Sequence, residues 1–270
     1  MSGQEKRLLN FQEWGKGVDL CVLIHGFGDG AYIWNDFAGR INGCRIIGVD
    51  LRGHGNSDWS ASGYYSVREH AADVVRLIAN FDYRQLLLVG HSLGGRIASE
   101  IASCNVLRLS ALAIVDYGPD CNLEARAMIL KKFADQNRIY SCIDEYRTEL
   151  QAYRPFANPA LLDKLAIEAL RLREDGKYAL KRDPALSNPA NTRQIDSEGE
   201  WAVLSKIKCP VVVVRGAGSA MLSPVVAAQI ASRPQRSVIT IDRAGHDVMI
   251  DNPELFAEAM KQFISELFRS

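Results

Sequence analysis

The 270-residue chain has no excess charge of either sign: 32 Lys and Arg stand against 32 Asp and Glu. A polyanion binder needs surplus cations to neutralise phosphates, so the tie argues against a nucleic-acid partner. It argues equally against an anionic membrane surface. No apolar run approaches the ~18 residues of a transmembrane helix. Residues 1–14 carry Glu5, Lys6 and Arg7, and no apolar stretch precedes a small-residue cleavage site, so no signal peptide is expected. The six cysteines, Cys21, Cys44, Cys104, Cys121, Cys142 and Cys209, form no CxxC pair. They read as buried, reduced thiols of a cytoplasmic protein. The five histidines lack a metal-ligand spacing, and there is no repeat or low-complexity tract. With 47% hydrophobic and 24% charged residues, the chain has the composition of a globular protein. Its length suits one domain with an elaboration, as a monomer or homodimer.

Strand and helix signals alternate in the first part. Apolar runs at 18–25, 45–50, 85–90 and 109–116 read as strands, and 66–81 and 94–103 as helices. Ser66 and Glu69 form a capping box. Apolar strands separated by helices predict a parallel sheet covered on both faces. Between Gly118 and Glu200 no convincing strand is found, and helical periodicity covers 123–133, 142–153 and 159–173. Strands return at 211–215 and 238–242, with helices at 224–231 and from Pro253, where Asn252 is the expected N-cap. An all-helical insert, 118–200, thus interrupts an α/β core of 1–117 and 201–270.

Three motifs carry chemistry. Gly90-His91-Ser92-Leu93-Gly94 is a G-x-S-x-G between a strand and a helix. The glycines allow a sharp turn that exposes the Ser92 hydroxyl, and the Leu93 N–H opens the helix as an anion site. His25-Gly26-Phe27-Gly28 ends the first buried strand, where the Phe27 N–H would complete an oxyanion hole. Residues 26–31 also fit the dinucleotide fingerprint G-x-G-x-x-A, with Asp50 where a ribose-binding acid would stand. The separate serine elbow and the lack of a Tyr-x-x-x-Lys pair weigh against that reading. Gly245-His246 follows the last strand and supplies a base, since a serine hydroxyl is a poor nucleophile until its proton is taken. His25, His54, His70 and His91 read as structural or surface residues.

With HGFG at 25–28, DLRGHGNSD at 50–58, GHSLGG at 90–95, VDYGP at 115–119, VVVVRG at 211–216 and GH at 245–246, the chain resembles the α/β-hydrolase family from about residue 10 to 268. The resemblance implies a mostly parallel eight-stranded sheet with a helical cap inserted after the sixth strand, and no cofactor. It places the nucleophile on Ser92 and the base on His246. A serine at the elbow, rather than an aspartate, speaks against dehalogenase and epoxide hydrolase chemistry. The acid departs from the pattern: the usual carboxylate position is Ala220, and no acid lies between Arg215 and Gln235. Asp116 is the best substitute, against a structural aspartate holding loop backbone, and Glu124 is a more distant candidate.

The insert carries 13 basic and 14 acidic residues. Tyr140, Tyr146, Tyr153 and Phe156 are expected mainly to pack cap on core, with a few lining the pocket roof. Arg154 is a candidate for a substrate carboxylate, and Trp59 for a pocket wall. The expected function is a serine hydrolase cleaving an ester or related acyl bond of a small molecule. Near-neutrality makes an uncharged acyl substrate the default. The alternatives are C–C bond hydrolysis by the same serine, and a catalytically impaired ligand-binding protein, which the missing acid at Ala220 motivates.

Overall fold

The computed structural model describes residues 9–192 and 196–269. The first part holds β1 (Phe11–Trp14), β2 (Leu20–Ile24), α1 (Asn35–Arg40), β3 (Arg45–Val49), α2 (Val67–Ile78), β4 (Leu86–His91), α3 (Leu93–Cys104) and β5 (Ala111–Val115). The insert follows with α4 (Leu123–Asp135), α5 (Ile143–Tyr153), α6 (Pro159–Ala169), β6 (Leu170–Leu172) and β7 (Tyr178–Leu180). The chain returns through α7 (Ser197–Lys206), β8 (Val211–Gly216), α8 (Pro224–Ala231), β9 (Arg236–Ile241), α9 (Val248–Asp251) and α10 (Pro253–Arg269).

The sheet runs β1-β3-β2-β4-β5-β8-β9, with β1 antiparallel and the rest parallel. Its central strands, LCVLI, LLLVGH, ALAIV and VVVVRG, are buried throughout because helices cover both faces. The two-residue period of a strand assigns their side chains. Cys21, Leu23, Leu87 and Val89 join Trp34, Phe37 and Phe256 on one face. Val22, Ile24, Leu86 and Leu88 join Val74, Ile97 and Ile101 on the other. Helix α2 starts at the expected capping box: the Ser66 hydroxyl accepts the Glu69 N–H at 3.2 Å, and Glu69 accepts the Ser66 N–H at 3.1 Å.

Three expectations change. The sheet has seven strands among the described residues, not eight, because it ends at the antiparallel β1. The insert is not all helical: β6 and β7 pair as a hairpin, and the helix expected over 159–173 stops at Ala169. Leu170-Arg171-Leu172 fits a helical period and a strand alternation equally well. What decides is the Arg173–Lys177 turn, where Gly176 takes φ 75° and Asp175 accepts the Lys177 N–H at 3.2 Å. Only Cys21 and Cys44 of the cysteines are buried, while Cys104 and Cys142 are exposed; all six are free thiols. Glu200, the last residue of the expected insert, lies within α7 and receives Arg96 of α3 at 2.7 Å and the Tyr117 hydroxyl. No helix among the described residues is long and apolar enough to cross a membrane.

Candidate active site

The strands β2, β4, β5, β8 and β9 run parallel, so their carboxyl ends share one edge of the sheet, where α/β proteins bind their ligands. The sequence places His25 to Gly28, Ser92, Asp116, residues 217–220 and His246 in the segments that leave those ends. Ser92 forms the turn from β4 into α3 at φ 53° and ψ −115°, a strained conformation for a residue with a side chain. The turn closes tightly because Gly94 has no Cβ, which would stand 2.2 Å from the Ile24 carbonyl oxygen. Gly26 similarly lets the β2 loop lie against the elbow, as a Cβ there would meet His91 Nδ1 at 2.8 Å and Ser92 Cβ at 3.3 Å.

The structure brings Ser92, His246 and Asp116 into one hydrogen-bonded line. His246 Nε2 lies 3.0 Å from Ser92 Oγ, and Nδ1 lies 2.7 Å from Asp116 Oδ2. Asp116 is buried at φ 50°, and its carboxylate also accepts the Gly216 N–H at 3.2 Å and the Ser219 hydroxyl. The loop that lacks an acid at Ala220 thus supplies donors to an acid from β5. Glu124 is exposed on the first turn of α4, where its N–H bonds Asn122 Oδ1. Burial alone would lower the His246 pKa, but its bond to Asp116 and the charges of Asp116, Asp247 and Asp29 hold it above the usual imidazole value. His91 fixes the backbone beneath it, with Nε2 donating to the His246 carbonyl at 2.9 Å.

Among the described residues, the N–H groups of Phe27 and Leu93 donate to no protein acceptor. Leu93 is the first residue of α3, so its N–H has no partner in the helix. The four histidines read as structural are all buried. Burial keeps them neutral by lowering their pKa values, to about 4 for His91 and about 3 for His70. Asp50 is held inside the fold: it accepts the N–H groups of Ala31 at 2.7 Å and Asn56 at 2.9 Å, and the Asn10 amide at 2.8 Å. A loop anchor so engaged does not support a nucleotide site. Among the described residues no three His, Cys, Asp or Glu side chains converge as metal ligands.

Two cavities meet at Ser92. The larger, of about 360 Å³, is lined by His246 and a charged group that sequence reasoning did not assemble: Asp29, Lys132, Arg182 and Asp247 together with Arg154. The smaller, of about 120 Å³, is mostly apolar, with Phe27, Leu93, Tyr117, Ile129, Leu130 and Met221. Arg154 is not a free cation: it pairs with Asp247 at 2.7 Å and Asp29 at 3.1 Å and is only 4% exposed. Burial opposes the charge of Asp247, but Arg154 prevails and holds that carboxyl well below the usual range. Trp59 lies under Arg171, 5.3 Å from ring centre to guanidinium, and lines neither cavity. Of the cap aromatics, Tyr140 and Tyr146 are buried edge to face, Tyr146 and Tyr153 line the larger cavity, and Phe156 is exposed. The position of Asp29 inside HGFGDG and of Asp247 directly after Gly245-His246 was the available signal for the charged group.

A model of the alpha/beta hydrolase family matches residues 21–259. The chain belongs to the alpha/beta hydrolase family. It is similar to 2-(acetamidomethylene)succinate hydrolase of Mesorhizobium japonicum, with 26% identity across 95% of this chain and 91% of that one. An esterase of Mycobacterium tuberculosis is 23% identical, across 92% of this chain and 83% of its own. Among solved structures, an alpha/beta hydrolase from Novosphingobium aromaticivorans superposes with a TM-score of 0.84 at 25% identity, covering 97% of this chain and 94% of that one. The family assignment supports hydrolysis of a small molecule as the general activity.

Proposed function

We propose that this alpha/beta hydrolase is a serine hydrolase that cleaves an ester or related acyl bond through an acyl-enzyme on Ser92. The observation that carries the reading is the hydrogen-bonded line from Ser92 Oγ through His246 to Asp116. His246 Nε2 takes the Ser92 proton as Oγ attacks the acyl carbon. The Phe27 and Leu93 N–H groups receive the oxyanion. His246 then returns the proton to the leaving group, which departs as an alcohol or amine. A water, deprotonated by His246, attacks the acyl-enzyme and releases the acid. Asp116 holds His246 in the tautomer that leaves Nε2 free to accept, and stabilises the imidazolium. Segment 118–200 acts as the cap, with Ile129, Lys132 and Phe133 of α4 and Arg182 after β7 facing the cavity.

Asp116 stands where the missing acid at Ala220 would have to be replaced, which favours an enzyme over a ligand-binding relative. The relatives' names include an esterase and a 2-(acetamidomethylene)succinate hydrolase, so a test panel should vary the leaving group. A fluorophosphonate probe should label the wild type on Ser92 and leave Ser92→Ala unlabelled. Absence of Ser92-dependent labelling, together with no hydrolysis across an acyl panel, would reject the reading.

A further inference from the structure

The larger cavity holds more positive charge than its carboxylates offset. Arg154 takes both Asp247 and Asp29. Lys132 and Arg182, which line the same space, form no ion pair with any carboxylate among the described residues. Arg182 is 6% exposed. It donates to the Gly28 carbonyl at 3.3 Å, the Phe133 carbonyl at 3.1 Å and Gln136 Oε1 at 3.4 Å, and stacks 3.8 Å over the Phe133 ring. Its Nε and the Gln136 Nε2 are buried donors with no partner. Lys132 has its Nζ 4.6 Å over the Tyr153 ring.

Cations withdrawn from water without a counter-ion are costly, and stacking on aromatic rings offsets only part of the cost. The rest is relieved when an anion enters. Asp29 and Asp247 face the same cavity and oppose an anion, but Arg154 sits between them and offsets one of their two charges. Lys132 and Arg182 then leave the group at one net positive charge. The even balance of the whole sequence hides this local excess, because it sums the charges of every part of the chain.

We propose that the larger cavity receives a carboxylate of the substrate, held by Lys132 with Arg182 behind it, so that the protein prefers an anionic ester over its neutral counterpart. The proposal rests on the acyl-hydrolase reading of the site and deepens it by naming a substrate class. Burial pushes the Lys132 pKa down to about 8, with Arg154 adding to the effect, as befits an ammonium whose cavity lacks a matching anion. Lys132 is the head group free to turn toward a ligand, since Arg182 is committed to three oxygens around Gly28 and Gln136.

The test uses Ser92→Ala protein, so that ligands are bound and not consumed. Calorimetric titrations compare monomethyl glutarate and 3-acetoxypropanoate, which carry the carboxylate on the acyl and alcohol arms, each with its neutral methyl ester. At least one anionic ester should bind about tenfold more tightly than its neutral counterpart, the scale of one charge-assisted contact. Adding Lys132→Met should remove that advantage, while Lys132→Arg, which keeps the charge, should retain it. Equal affinities within both pairs, or an advantage that Lys132→Met leaves intact, would overturn the proposal. Matching thermal melts of the variants show that the fold is retained. The ratio is read without turnover, so it stands or falls separately from Ser92-dependent labelling.

Discussion

Asp116→Asn should lower ester turnover by about 10⁴-fold, the loss expected when a triad histidine is held in the wrong tautomer. Asparagine keeps the volume and still offers the Gly216 N–H an oxygen. If its amide nitrogen faces His246 Nδ1, that ring nitrogen becomes the acceptor, and Nε2 carries a proton it cannot take from Ser92. The pH profile gives a second readout. The wild-type base works only when neutral, so activity rises with pH through the His246 pKa, which Asp116 holds above the usual value against burial. Without that charge the pKa falls, and the acid limb of the residual rate should move to lower pH. Wild-type turnover in this variant would remove Asp116 from the mechanism.

Arg154→Met should destabilise the fold by about 3–5 kcal/mol, the cost of breaking a buried ion pair from one side. The guanidinium is 4% exposed and pairs with both Asp29 and Asp247, so its loss leaves two half-buried carboxylates without their shared counter-ion. In the wild type, Asp247 has a depressed pKa. Its contribution is therefore present above the unfolded value of about 3.9 and is lost as pH falls below it. In the variant Asp247 loses the guanidinium that holds its carboxyl down while burial still opposes its charge, so the deficit should shrink as the pH is lowered and that carboxyl protonates. Urea unfolding at neutral and mildly acidic pH checks both points. A loss under about 1 kcal/mol at neutral pH would show that the pair is screened as a surface pair is.

The legible parts of the chain were those in which local chemistry decides the structure. Apolar runs such as LLLV and VVVV belong to strands covered on both faces, and the Ser66–Glu69 capping box marks the start of α2. Ser92 and His246 were readable because a nucleophile elbow and a base after the last strand leave short motifs. Asp116 was readable only by elimination. Nothing in its neighbours announces the Ser219 hydroxyl and Gly216 N–H that hold it, 103 and 100 residues away along the chain. The hairpin β6–β7 was lost because Leu170-Arg171-Leu172 satisfies two periods at once. Arg154 was considered as a carboxylate binder from its charge alone, but its partners Asp29 and Asp247 come from two distant loops, which leaves Lys132 and Arg182 as cations of the larger cavity with no ion pair among the described residues.

The central claim is an acyl group carried on Ser92. Rapid mixing with an activated ester, followed by acid quench and intact mass measurement, tests it most directly. The wild type should gain one acyl mass before steady state, mapped to the peptide containing Ser92, and Ser92→Ala should gain none. Hydrolysis that continues in Ser92→Ala at the wild-type rate, with no adduct on either protein, would contradict the account.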